Sequence, residues 1–217
     1  MMGVMGQARE LYVKGMSETV LVQQASGTHV PLLRTAMEIH ATYAENMSMD
    51  YICIYGRTTQ KWNPYWEKIF IIQELIERYK TVFYLDADTL IVNPKDNLRA
   101  VVTRPIMMAR HPGGCYGGID GHWNTGVMFV QSCDLTKTFL ADLIEHGPGE
   151  RDWWEQNIAN YLLTLPWYRK IPGELSNAYN STYKVNESEN PVIKALHGPT
   201  AGSIEEKVRI MKSWINS

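Results

Sequence analysis

Residues 81–94, Thr-Val-Phe-Tyr-Leu-Asp-Ala-Asp-Thr-Leu-Ile-Val-Asn-Pro, join an apolar strand to two carboxylates spaced one residue apart, Asp86 and Asp88. The run 82–85 is apolar without alternation, as in a strand buried on both faces of an α/β sheet. Residues i and i+2 of an extended segment point the same way, so both carboxylates can face one ion. Open α/β sheets bind ligands beyond the carboxyl ends of their strands, which is where this pair falls. Two hard oxygen ligands with no cysteine nearby suit Mg²⁺ or Mn²⁺ better than zinc, and such ions commonly share their coordination sphere with phosphates. The pattern is that of a metal–diphosphate clamp.

The surrounding pattern agrees. Residues 18–24 read as a strand, 31–47 as a helix opened by Pro31, 51–55 as a second strand and 65–79 as a second helix. In the first helix Leu32, Leu33, Ala36, Ile39, His40 and Tyr43 fall near helical spacing. Strand-helix-strand-helix-strand is the order of a parallel sheet wrapped by helices. Further on, 106–109 and 125–131 read as strands on either side of a glycine-rich loop at 111–121. Helices are expected at 135–145, at 153–163 and from 203 to about 214, the last opened by a Ser203–Glu206 capping box. Residues 1–16 carry no firm pattern and read as a short leader or a disordered start, and the chain beyond Pro166 reads as irregular through Pro199. Without repeats or a dividing linker, one domain is expected over 1–217, either whole or as a piece of a longer polypeptide.

Composition narrows the function. A formal net charge of −2 with no block of like charge gives no electrostatic basis for nucleic-acid binding. No apolar stretch reaches the length of a membrane span and no signal-peptide core precedes the first strand. The three cysteines, Cys53, Cys115 and Cys133, lack metal-ligand spacing and fit free thiols in a reducing compartment, so a cytoplasmic protein is expected. Sequons at Asn46, Asn180 and Asn186 then read as accidental.

Several segments, in order, resemble nucleotide-sugar glycosyltransferases of the GT-A fold, in particular the glycogenin-like and galactosyltransferase-like groups. They are the strand and loop at 18–26, Trp-Glu-Lys at 66–68, the acidic motif at 83–94, Asn-Thr-Gly at 124–126, Glu-Gln-Asn at 155–157 and His-Gly at 197–198. The resemblance covers nearly the whole chain. It implies a Rossmann-like nucleotide-binding α/β fold with a central, mostly parallel sheet flanked by helices. It also implies transfer of a hexose from a UDP-sugar to a hydroxyl of a carbohydrate acceptor, with Mn²⁺ or Mg²⁺ as cofactor; retention of configuration follows the nearest likeness and is not decided by the residues themselves.

Carried over position by position, the resemblance makes Asp86, Asp88 and His197 the metal ligands, with His111 and His122 as rivals for the third. It sets Gln24, Ala25 and Ser26 at the base and ribose, Lys68 and Ala87 at the diphosphate or sugar, and Asn124 and Thr125 at the donor sugar. Asp152, Glu155 and Gln156 fall near the reacting carbon, with Glu155 standing where the family has Asp. The family's lysine-proline-tryptophan tail is absent, and Lys207 is a loose substitute for its phosphate-binding lysine. Three other readings fit less well. A haloacid-dehalogenase-type phosphatase carries its acidic motif on the first strand. A sugar-nucleotide nucleotidyltransferase would have a glycine-rich basic loop where 23–28 has one glycine and no basic residue. A nucleotide-sugar-binding module without turnover would not need both aspartates and His197.

Overall fold

A computed structural model describes residues 9–13, 17–113, 121–148, 154–197 and 201–216. Its first half runs β1 (Arg9–Val13), β2 (Thr19–Ala25), α1 (Val30–Asn46), β3 (Asp50–Tyr55), α2 (Glu67–Leu75) and β4 (Thr81–Asp86). The second half runs β5 (Thr89–Ile91), β6 (Ile106–His111), β7 (His122–Gln131), α3 (Asp134–His146), α4 (Glu155–Thr164), β8 (Pro172–Leu175), β9 (Ser181–Thr182), β10 (Ile193–Ala195) and α5 (Ile204–Ile215).

Seven strands form one sheet in the order β1-β3-β2-β4-β7-β6-β8. β2 is parallel to β3 and β4, and β6 to β8, while β1 and β7 run against their neighbours. Five of the seven strands therefore point one way, and the expected mostly parallel α/β sheet is the one observed. Its strands lack alternation because both faces are covered. On one face Val20, Val22, Val82 and Tyr84 pack with Ile72 of α2, Leu140 of α3 and Leu162 of α4. On the other, Leu21, Phe83 and Leu85 pack with Leu33 and Ala36 of α1 and Met211 of α5. The capping box at Ser203 and Glu206 starts α5 as expected.

The structure corrects several expectations. The stretch 81–94 is not one strand: β4 ends at Asp86, Ala87 and Asp88 form a turn, and β5 begins at Thr89. The two carboxylates thus converge through a turn and not through the pleat of an extended chain. Thr89 Oγ1 closes that turn by donating to the Asp86 carbonyl at 2.8 Å. Within the expected leader, residues 9–13 form β1 against β3. The region read as irregular contains β8, β9 and β10, and a second sheet has the order β5-β10-β9. Strands of two to four residues are too short to show a periodicity. β7 starts at His122, three residues before its expected start, and α2 ends at Leu75, four residues before its expected end.

Cys53 and Cys133 are free thiols, while Cys115 lies outside the described residues. Asn180 is fully buried, so its sequon cannot carry a glycan in the folded chain. Among the described residues no helix is long and apolar enough to cross a membrane.

Phe83 is fully buried in β4 and meets Phe129 of β7 edge to face at 4.9 Å. Phe83→Ala is expected to cost about 3–5 kcal/mol, read as a lower urea midpoint at unchanged m-value.

Candidate active site

The site is built where β4 ends. β4 pairs antiparallel with β7 in a register that sets Leu85 opposite Val127, so the start of β7, including Asn124, Thr125 and Gly126, lies alongside the Asp86–Asp88 turn. The second sheet supplies the third side. β5 and β10 pair with Thr89 opposite Ala195, and the Leu196 amide donates to the Asp88 carbonyl at 3.0 Å. His197, the next residue, is thereby carried to the turn.

Ligand atoms of Asp86, Asp88 and His197 lie within 4.8 Å of one another, close enough to hold one ion. The histidine ring is oriented for this. Its Nε2 faces the Asn180 side-chain oxygen at 3.3 Å, an acceptor, so Nε2 carries the proton. Nδ1 then keeps its lone pair, 3.9 Å from Asp88 Oδ1. Burial lowers the His197 pKa, against the pull of Asp88, which favours the neutral imidazole that a metal requires. The Asn180 side-chain amide in turn donates to the Asn124 side-chain oxygen at 2.8 Å.

Lys68, in the first turn of α2, is 5% exposed and reaches into the same place. Its Nζ lies 2.8 Å from Asp86, 3.2 Å from Glu155 and 3.2 Å from the Thr125 carbonyl. Three acceptors match the three donors of an ammonium group. Burial alone would depress its pKa, but the two carboxylates outweigh burial and hold Lys68 well above the ordinary lysine value. Lys207 of α5, 6% exposed, pairs with Asp88, its Nζ lying 3.0 Å from the carboxylate and 2.6 Å from the Leu196 carbonyl. Asp86, Asp88 and Glu155 thus share two ammonium groups and keep an excess of negative charge. Burial, with Asp88 and Glu155 adding to it against Lys68, pushes the Asp86 carboxyl up to about 7. A hard divalent cation fits this donor set in ligand type and in charge.

The remaining expected site residues fall at the same edge of the sheet. Ala25 ends β2 and Ser26 follows it, and Gln24 donates from Nε2 to the Gly56 carbonyl at 2.7 Å. Ala87 is buried in the turn. Thr125 donates from Oγ1 to Glu155 at 2.9 Å and from its amide to the Gln156 side-chain oxygen at 3.0 Å. Glu155 is only 3% exposed, so its carboxylate is engaged by Lys68 and Thr125 and is not open to bulk water. Asp152 lies outside the described residues. His111 and His122 are not in the metal group: His111 Nε2 lies 3.2 Å from the Thr182 hydroxyl, and His122 Nδ1 lies 2.9 Å from the Gly113 carbonyl.

Three residues were missed in the sequence. Asn180 registered only as a sequon. Glu67, buried beside Lys68, accepts from the Thr58 and Thr59 amides at 2.6 and 3.2 Å and so fixes the loop after β3. Gly126 is needed for close approach: a Cβ there would lie 2.4 Å from His197 Cε1 and 2.9 Å from its Nε2. The Asn-Thr-Gly pattern at 124–126 was the available signal for the last.

The family profile described as nucleotide-diphospho-sugar transferase matches residues 34–188, more than two thirds of the chain. No curated protein matches in sequence. Solved structures do match in fold. A glycosyltransferase involved in glycosylation of the major capsid of PBCV-1 aligns with a TM-score of 0.70 at 14% identity, over 90% of this chain and 98% of that one. The glycosyltransferase GlyE of Streptococcus pneumoniae TIGR4 gives 0.59 at 16%, over 92% of this chain and 64% of that one. Mouse xyloside xylosyltransferase 1 gives 0.51 at 11%, over 84% and 98%.

If Gly126 is small because His197 lies against it, Gly126→Ala is expected to leave the fold intact and displace the imidazole. Manganese affinity measured by calorimetry should drop at least about tenfold, with the circular dichroism spectrum unchanged. Undiminished affinity would show that His197 is not held there to bind metal.

Proposed function

The chain belongs to the nucleotide-diphospho-sugar transferases and has the GT-A fold, and from that premise we propose that it moves a hexose from a UDP-sugar to a hydroxyl of a glycan acceptor with retention of configuration. The observation that carries this reading is the convergence of Asp86, Asp88 and His197 beside two buried lysines at the carboxyl edge of the sheet. These three residues would hold Mn²⁺, or Mg²⁺ in its place. Such an ion supplies Lewis-acid neutralisation of the departing diphosphate, worth several kcal/mol in the transition state.

The chain's own groups divide the remaining work. The ends of β2 and β3, tied together by Gln24 and by the Gly56 amide on the Ala25 carbonyl (2.9 Å), form the wall for base and ribose. Ser26 is partly exposed there. Lys68 has all three donors engaged, so its role is to hold Asp86 and Glu155 and balance their charge. Among the described residues Lys207 meets two acceptors, Asp88 and the Leu196 carbonyl, and it can turn a third donor to a phosphate oxygen. Asn124 acts through Asn180 on His197, and Thr125 and Gln156 shape the side nearest the sugar.

Glu155, buried against Lys68, is suited to sustaining positive charge at the reacting carbon. It is poorly suited to deprotonating an acceptor, which supports the retaining reading. Immediately before it, Trp154 is exposed and meets the exposed ring of Tyr65 at 5.2 Å. This aromatic pair offers a face for a pyranose ring of the acceptor.

Purified protein incubated with a panel of UDP-sugars and Mn²⁺ is expected to release UDP slowly from one of them. Chelation should abolish release, and Asp88→Asn should lower it at least about 100-fold with the fold intact. Metal-dependent release that survives Asp88→Asn would remove the acidic pair from the mechanism.

A further inference from the structure

Beneath the acidic turn lies a group of polar side chains that the chemistry above does not use. His40 of α1, Gln23 of β2 and Tyr51 of β3 are all fully buried, within the apolar cluster that contains Leu21, Phe83 and Leu85. Buried polar groups are unfavourable unless every donor and acceptor is met. Here the partners define one arrangement. Gln23 Oε1 accepts from His40 Nδ1 at 2.6 Å and from the Tyr51 hydroxyl at 3.1 Å, and Gln23 Nε2 donates to the Asp86 carbonyl at 3.3 Å. His40 Nε2 accepts from the Ile91 amide at 3.0 Å. The imidazole therefore carries its proton on Nδ1 and is neutral, and burial pulls its pKa down to about 3. Reversing either the Gln23 amide or the His40 tautomer would set donor against donor or acceptor against acceptor.

The two outer ends of this network lie on the two strands that flank the metal-site turn. Asp86 closes β4, and Ile91 closes β5. β5 is the outer strand of the small sheet, so the Ile91 amide needs an acceptor other than β10, and His40 supplies it. β5 also sets the register of β10 and hence the position of His197. One buried ring is thus tied to both strands that flank the turn, to β5 directly through the Ile91 amide and to β4 through Gln23.

We propose that His40, acting through Gln23 and Ile91, is a positioning residue of the metal site, fixing the backbone separation at which Asp86, Asp88 and His197 can close on one ion. The inference rests on the metal-binding reading of those three residues. His40 touches no ligand atom; its effect passes through the main chain of the turn. A network that only stabilised the core would change the melting temperature and leave the affinity of the folded protein for metal as it was.

The test uses the full chain as wild type, His40→Leu and His40→Gln. Free Mn²⁺ is followed by electron paramagnetic resonance at a temperature where circular dichroism shows all three folded. Leucine keeps the bulk and removes both hydrogen bonds, whereas a glutamine amide can donate to Gln23 and accept from Ile91. The expected result is a loss of Mn²⁺ affinity of roughly 10-fold or more in His40→Leu, with most of it restored in His40→Gln. If His40→Leu does not fold, Gln23→Met takes its place, because it severs the tie to the Asp86 carbonyl, and the same loss is expected. Wild-type affinity in the folded leucine or methionine variant, with only a lower melting temperature, would overturn the proposal. A wild-type protein that binds no Mn²⁺ would instead overturn the metal-binding reading, and the role of His40 with it.

Discussion

Lys68 carries a positive charge into a place from which water is nearly excluded, and it stays charged there because Asp86 and Glu155 share it. Taking three ionised groups out of water is costly, and the arrangement holds only with close geometry and every ammonium proton engaged. Removing one member of such a buried pair costs about 3–5 kcal/mol, since the charge left behind has no partner. α2 supplies the ammonium and β4, β7 and α4 each contribute one acceptor to it, so the relative placement of the four elements is fixed at the point where the site opens. Lys207 repeats the device for Asp88 from α5. Two ammonium groups cannot offset three carboxylates, so an excess of negative charge stays at the turn.

Placement of His197 depends on a different constraint. It is separated from Asp88 by more than a hundred residues, yet the β5–β10 ladder and the Leu196 amide bring them together. Asn180 then fixes the imidazole tautomer, and Gly126 leaves the space in which the ring lies. Backbone pairing sets position, a side-chain amide sets the proton, and a missing Cβ sets the approach.

How much of this could be read in advance differs from element to element. The central sheet was legible because the strand-like runs 18–24, 51–55 and 81–86 alternate with helical patterns. Asp86, Asp88, Lys68 and His197 were legible as residue types in a family order. The turn at Ala87 and Asp88 was not, because extended chain and a tight turn both bring neighbouring carboxylates together. β5, β9 and β10 are too short to leave a pattern, so the means by which His197 arrives was hidden. Asn180 looked like a sequon until its burial was known, and His40 looked like one more residue on the inner face of a helix. Glu155 read as an acid near the reacting carbon, and only the fold reveals Lys68 against it. What sequence leaves out is pairing across long separations, since hydrogen bonds and ion pairs have no local signature.

The central claim is that the turn between β4 and β5 is a cation site that presents a nucleotide diphosphate to the rest of the pocket. Calorimetric titration of UDP into the protein, first with Mn²⁺ and then with the metal chelated, addresses it most directly. The account predicts binding with Mn²⁺ and its loss on chelation. Equally tight binding of UDP in the chelated protein, or no binding of UDP under either condition, would contradict it.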